Sequence, residues 1–281
     1  MIDFEYKDEG LFSRGERMKH MKMVKNYVLG LVMMLVIGHG SAQVIEEANT
    51  INSVAQKQYK NIIFDLGGVL VEWDPVKFVK EIFDDNHALR DKMLGILSQE
   101  DSKNRLNQLW VEMDRGVADF TQIAQKLAQE FGFVAADVER YINQVYQNHV
   151  IRIEKGFEIL EQVKKAGYKV YVLSNFGIQG FNLIEEKYGI SYYFDGITLS
   201  SWVKYIKPEK EIYDCLLENH NLKAQECLFI DDAPCNIQAA QQQGIDSILC
   251  SDHEFVQQEL IRLGIIKLLE IESLVEEAVQ V

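Results

Sequence analysis

The stretch that most constrains this chain is Asn61–Pro75, which reads NIIFDLGGVLVEWDP. Ile62, Ile63 and Phe64 form an unbroken apolar run, the pattern of a strand buried on both faces of a parallel sheet. The run stops at Asp65, and Gly67 and Gly68 follow, giving the backbone conformations closed to other residues. An acid at the carboxyl end of a central strand, followed by a glycine-rich loop, stands where open α/β sheets place their ligands. Asp and Gly are also ordinary turn residues, so a capped strand end explains the stretch equally well on its own. The rest of the chain decides between the two.

Val69–Pro75 reads as a short extended flap, with Pro75 placed to open a helix. From Val76 to about His149 the pattern is helical. Asn104–Arg115 and Thr121–Phe131 carry apolar residues at three- and four-residue spacing, and Gly116 and Gly132 mark helix ends. Trp110 reads there as helical core. From about Gly156 helices and strands alternate. Helices are expected at Phe157–Lys165, Ile178–Tyr188, Glu209–Asn219 and Ile237–Gln243, and strands at Val170–Leu173, Gly196–Leu199, Cys227–Ile230 and Ser247–Leu249. The fold class that follows is α/β, a Rossmann-like parallel sheet core (residues 58–75 and 153–281) with an inserted α-helical cap subdomain (76–152). Right-handed crossovers then gather Asp65, Ser174-Asn175 and Asp231-Asp232 along one sheet edge, with Lys207-Pro208 joining from a loop. Each has an innocent reading as turn, helix start or solvated cap. Four such coincidences at consecutive element ends favour a site.

Bulk properties narrow the partner. Of 281 residues, 47% are hydrophobic and 26% charged, enough apolar sequence for a sizeable core. A formal net charge of −14 excludes the basic surplus that nucleic-acid binding draws on, but leaves room for a small anion. Lys19, Lys22 and Lys25 precede the apolar run Tyr27–Ile37 and the small, polar segment Gly38–Ala42, the layout of a signal peptide cut before Gln43. Residues 1–42 are accordingly expected to export the protein, to the periplasm. An uncleaved membrane anchor and an extension on a cytoplasmic enzyme are the alternatives, and a membrane is a partner only in the first. Cys215, Cys227, Cys235 and Cys250 show no CxxC spacing and are expected as free thiols.

FDLGGVL at Phe64–Leu70, VLSN at Val172–Asn175, Lys207-Pro208 before EIY, and FIDDAPCNIQAA at Phe229–Ala240 resemble, in order and spacing, the four motifs of the haloacid dehalogenase-like (HAD) hydrolase superfamily. The helical insert is similar to that superfamily's α-helical cap. Within it the chain looks most like sugar-phosphate phosphatases related to α-D-glucose-1-phosphate phosphatase. The resemblance implies a phosphatase that uses Mg²⁺ and acts on a small phosphorylated metabolite. Asp65 would be the nucleophile that forms an aspartyl-phosphate, a recognised use of a carboxylate. Asp65, the Gly67 carbonyl and Asp232 would hold the metal, with Asp231 as ligand or outer partner. Lys207 would neutralise the phosphate, and the Ser174 hydroxyl and Asn175 backbone N–H would hold its oxygens. Asn236 would orient Lys207 or the metal shell.

One position departs from the family. Its phosphatases usually carry a second Asp two residues after the nucleophile as general acid and base, and here that position is Gly67. Glu72 and Asp74 in the flap are candidates for a replacement, although Asp74 also suits a helix cap. Lys204 stands where the family usually has Gly and reads as a solvated lysine. His149 and His253 read as surface or helix-end residues. A metal-independent haloacid dehalogenase and a catalytically weak phosphate-binding protein are the competing functions.

Overall fold

A computed structural model of the chain describes residues 59–98 and 100–267. The expected export segment, residues 1–42, lies outside the described residues, as does the end of the chain beyond 267. No helix among the described residues is long and apolar enough to cross a membrane.

The core is a five-stranded sheet in the order β3-β2-β1-β4-β5, formed by β1 (Asn61–Phe64), β2 (Lys169–Ser174), β3 (Gly196–Leu199), β4 (Cys227–Asp231) and β5 (Asp246–Leu249). All pairings are parallel, and Ile62 faces Val170 on one side and Leu228 on the other. β1 is buried at every residue, which its apolar run requires of a central strand. The chain winds outward from β1 first through β2 and β3 and then returns to lay down β4 and β5. The switch of direction lies between β1 and β4, so Asp65 and Asp231 flank the crevice where such sheets bind ligands.

Between β1 and β2 the chain builds the helical cap from α1 (Pro75–Ile82), α2 (His87–Ser98), α3 (Glu100–Asp114), α4 (Phe120–Phe131) and α5 (Ala135–Gln144), closed by a π turn at Val145–His149. Asp74 caps α1 by accepting from Lys77 N at 2.9 Å, and Pro75 occupies the first turn. Asp119 and Gln122 form a reciprocal capping box at the start of α4, and Gly132 ends it in the left-handed conformation at φ 67°. The flap is tighter than the extended reading: Leu70 N and Val71 N both donate to Leu66 O, which folds residues 66–71 into a turn. Beyond it the two linkers of the cap are zipped together, with Glu72 N donating to Ile151 O at 2.7 Å and Ile153 N to Leu70 O at 2.8 Å.

The remaining helices are α6 (Glu154–Lys165), α7 (Ile178–Tyr188), α8 (Ser200–Val203), α9 (Lys210–Asn219), α10 (Pro234–Gln242) and α11 (His253–Arg262). His253 is more than a helix-end residue, because its Nε2 bonds Val69 O at 2.7 Å and ties α11 to the flap. His149 pairs with Glu81 at 2.9 Å. All four cysteines are free.

Candidate active site

The carboxyl ends of β1, β2 and β4 converge beneath the cap on one cleft of about 570 Å³. Asp65, Gly67, Ser174, Asn175, Lys207, Asp232 and Asn236 line its floor from the core. Its roof comes from the flap and the cap: Trp73, Trp110 and Tyr146, with Phe176 from the loop after β2. Trp73 is the hub of this roof, with ring centroids 5.8 Å from Trp110, 5.9 Å from Tyr146 and 6.5 Å from Phe176. Trp110 is therefore part of the cleft wall as well as of the cap interior, a position that its helical spacing could not reveal.

Lys207 is the electrostatic centre. Its ammonium is 1% exposed and lies 2.8 Å from Asp65 Oδ1 and 2.6 Å from Asp231 Oδ2. Burial drives such a group toward neutrality, but the two carboxylates outweigh it and hold the lysine pKa above its ordinary value. The Asn175 side chain clamps the lysine backbone at two points, accepting from Lys207 N at 2.7 Å and donating to Lys207 O at 2.9 Å. Asp231 is fully buried and its oxygens are occupied. Besides Lys207 it accepts from Ala233 N at 2.8 Å and from Asn236 Nδ2 at 3.0 and 3.2 Å. Asn236 thus orients Asp231 rather than touching Lys207, and Tyr213 OH fixes its helix by donating to Asn236 O at 3.0 Å.

Asp65 is poised differently. Burial pushes its carboxyl up to about 6, Lys207 pulls it down, and the Asp231 charge adds to the rise. The Ser174 hydroxyl hydrogen-bonds it. Asp65 Oδ1 lies close to the Lys207 ammonium, yet it is buried without an aligned hydrogen-bond donor. Oxygens of Asp65, Asp231 and Asp232 lie within 4.8 Å of one another. An all-oxygen, anionic set whose three carboxylates share a single ammonium fits a hard divalent cation such as Mg²⁺. Gly68 makes room for this cluster. Its φ is 69°, and a Cβ there would fall 2.2 Å from Asp232 Oδ2.

Neither flap carboxylate enters the cleft. Asp74 is spent on the α1 cap, and Glu72 pairs with Lys77 at 2.5 Å. Another acid does enter it: Asp114, the final residue of α3, which no sequence pattern singled out. Burial and the nearby Asp65 charge raise its carboxyl well above the usual range, and the Gly177 backbone N–H bonds it. Lys204 is also more than a solvated lysine. It adopts the left-handed conformation (φ 69°), which is why Gly suits the position, and its Nζ donates to Gly116 O in the cap at 2.8 Å.

Residues 62–250 match the haloacid dehalogenase-like hydrolase family. A sesquiterpene phosphatase of Aspergillus oryzae is 27% identical over 206 residues, a match covering 73% of this chain and 96% of that protein. A D-ribitol-5-phosphate phosphatase of Bacteroides thetaiotaomicron is 23% identical, with 72% of this chain and 96% of that protein covered. The crystal structure of a HAD family enzyme from the same bacterium, in complex with magnesium and inorganic phosphate, has the same fold, with a TM-score of 0.52 at 22% identity over 68% of this chain and 93% of that one. With the family match spanning about two thirds of its length, the chain belongs to the haloacid dehalogenase-like hydrolase family.

Proposed function

We propose that the protein is a Mg²⁺-dependent phosphatase that hydrolyses a small phosphomonoester through an aspartyl-phosphate on Asp65. The observation that carries this reading is the buried Asp65–Lys207–Asp231 array opening into a cleft that Asp232 also lines. A fixed cation beside a nucleophilic carboxylate answers the main difficulty of the reaction, the repulsion between that carboxylate and a dianionic phosphate. Two relatives are named as phosphatases, which supports the same choice.

In this reading one Asp65 oxygen attacks phosphorus and the ester oxygen leaves as an alcohol. Water then cleaves the acyl phosphate and frees inorganic phosphate. Lys207 neutralises the phosphoryl oxygens, and Asn175 holds the lysine main chain so that the ammonium does not need to search for its position. The Ser174 hydroxyl, which bonds Asp65, is placed to pass to a phosphate oxygen once substrate arrives. Asp65, Asp232 and the Gly67 carbonyl are the groups that would hold Mg²⁺, with Asp231 behind them already saturated by Lys207, Ala233 and Asn236. Bound there, the ion supplies further positive charge to the phosphoryl group. The organic part of the ester meets Trp73, Trp110, Tyr146 and Phe176, a wall that favours substrates with an apolar or ring-bearing face.

The test is hydrolysis of p-nitrophenyl phosphate, followed by a panel running from polyol phosphates to isoprenoid phosphates. Asp65→Asn should abolish turnover with the thermal transition retained, and EDTA should abolish it until Mg²⁺ is restored. Full activity in the Asp65 variant would end the nucleophile assignment. Phosphatase activity that survives EDTA would end the metal assignment, whereas a protein inert toward every phosphate but active on a 2-haloacid in EDTA would favour a metal-independent dehalogenase.

A further inference from the structure

We propose that Asp114 is the general acid and base of this hydrolysis, delivered from the cap to the place left empty at Gly67. The inference rests on the phosphatase reading above. It starts from a vacancy: position 67 has no side chain, and a Cβ there would find Trp73 Cβ at 3.6 Å as its nearest neighbour, an ordinary contact. A side chain could therefore start there without a clash, with Trp73 its neighbour within 4 Å. Among the described residues that line the cleft, the acids are Asp65, Asp114 and Asp232. Asp65 and Asp232 belong to the anionic cluster suited to a cation, which leaves Asp114 as the carboxyl free for proton transfer.

Asp114 is held in place from several directions. Ser200 Oγ donates to its backbone O at 2.6 Å, and the Ser200 hydroxyl in turn accepts from Phe176 N at 2.9 Å, which joins the end of α3 to the loop after β2. The Gly177 backbone N–H bonds the carboxyl itself. A side chain at Gly177 would press on Met113 O at 3.1 Å, so this glycine permits the close approach of the two backbones. The next residue, Arg115, grips Glu209 through both guanidinium nitrogens at 2.9 and 2.6 Å and donates to Lys204 O at 3.0 Å. The end of α3 is fixed to the loop that carries Lys207.

The surroundings suit a proton donor. Burial and the Asp65 carboxylate favour the neutral acid, Lys207 opposes them less strongly, and the Tyr146 phenol packed beside it is itself held neutral. Two carboxyl groups lining one cleft, one pushed toward the neutral form by burial and the other paired with the Lys207 ammonium, can divide the two roles by environment. As the Asp65 oxygen bonds phosphorus, the P–O ester bond breaks and the ester oxygen takes the Asp114 proton, leaving as the neutral alcohol. The Asp114 carboxylate then takes a proton from the water that attacks the phosphoryl group. The P–O bond to Asp65 breaks, inorganic phosphate departs, and both carboxyl groups return to their starting states.

The experiment compares esters that differ in their need for a proton: p-nitrophenyl phosphate, whose phenol leaves as an anion, and benzyl phosphate, whose alcohol does not. Full-length parent and Asp114→Asn proteins are assayed with Mg²⁺. Asn keeps an oxygen for the Gly177 N–H, so the fold is preserved. Because both esters share the breakdown of the aspartyl-phosphate, the readout is first-turnover release of the alcohol by rapid mixing: Asp114→Asn should slow release of benzyl alcohol by about 10²–10⁴-fold and leave a burst of p-nitrophenol. Adding Gly67→Asp to that variant should restore benzyl phosphate turnover, a Cβ at position 67 meeting nothing closer than Trp73 Cβ at 3.6 Å. Equal losses of first-turnover alcohol release on both esters, or no loss on either, would overturn the assignment while leaving the phosphatase reading intact. A parent protein inert toward both esters would instead sink the phosphatase reading, and this inference with it.

Discussion

Replacing Lys207 with Met tests the electrostatic centre directly. The ammonium sits between Asp65 and Asp231 with 1% of its side chain exposed, and the partner side chains are 10% and 0% exposed. Met preserves most of the stem and removes the charge, so the variant must keep two buried carboxylates without their shared cation. Removing one partner of a buried ion pair typically costs about 3–5 kcal/mol, because the charge left behind is uncompensated. For a domain of this size that corresponds to a fall in Tm of roughly 10 °C. The measurement is urea unfolding at pH 7.5 in EDTA, so that no divalent cation substitutes for the ammonium. The effect should depend on pH with a definite sign. Burial already pushes the Asp65 carboxyl up to about 6, above its unfolded value, and loss of the Lys207 charge that pulls it down raises it further. A raised carboxylate pKa contributes stability that is full below the unfolded pKa and is lost as pH rises through the folded one. The deficit of the variant should therefore be largest at pH 7.5 and shrink toward pH 5. An unchanged unfolding midpoint at pH 7.5, or a deficit that grows on acidification, would refute the argument that Lys207 holds these carboxylates together.

Two further outcomes follow from the same geometry. Gly68→Ala should cost about 1–2 kcal/mol for a left-handed backbone, and should raise the Mg²⁺ concentration needed for half-maximal activity, because the new Cβ displaces Asp232; unchanged metal dependence would remove Asp232 from the metal site. Arg115→Ala breaks a partly exposed pair worth less than about 1 kcal/mol, so stability should barely move. Its kcat on benzyl phosphate should fall as Asp114 loses its anchor, and an unaltered kcat would show that the grip on Glu209 does not position the acid.

The sheet was readable because each core strand is an apolar run cut off by a polar residue. Asp65, Ser174 and Asp231 announce the carboxyl edge by ending β1, β2 and β4, and the helix-stopping glycines at 116 and 132 adopt the left-handed turns expected of them. Asp114 was not readable. At the end of an amphipathic helix a carboxylate is indistinguishable from any other solvated position, and its role arises from a contact with Ser200, 86 residues away in sequence. Lys204 misled for a related reason, since a positive φ and a bond to Gly116 are properties of the folded loop and not of a lysine. The one available signal was indirect. A glycine at position 67 says that an acid must come from elsewhere, and the helix stop at Asp114-Arg115-Gly116 is a place where the cap chain turns back over the core.

That placement ties proton transfer to closure of the cap. The loop from Lys204 to Glu209 does two things at once: it carries the Lys207 ammonium to Asp65, and it receives Arg115 and the Gly116 carbonyl from the end of α3. The zipped linkers, Glu72 to Ile151 and Leu70 to Ile153, form a second junction on the far side of the insert and leave it a natural axis. A cap that swings about those linkers to admit substrate must release Arg115 from Glu209 and Lys204 from Gly116, and it carries Asp114 away with them. Such a swing would take the acid out of the cleft together with Trp110 and Tyr146, which line it from the cap. An acid fixed at position 67 would stand beside the nucleophile whether the cap were open or closed. Supplying it from α3 instead makes the proton donor arrive with the lid.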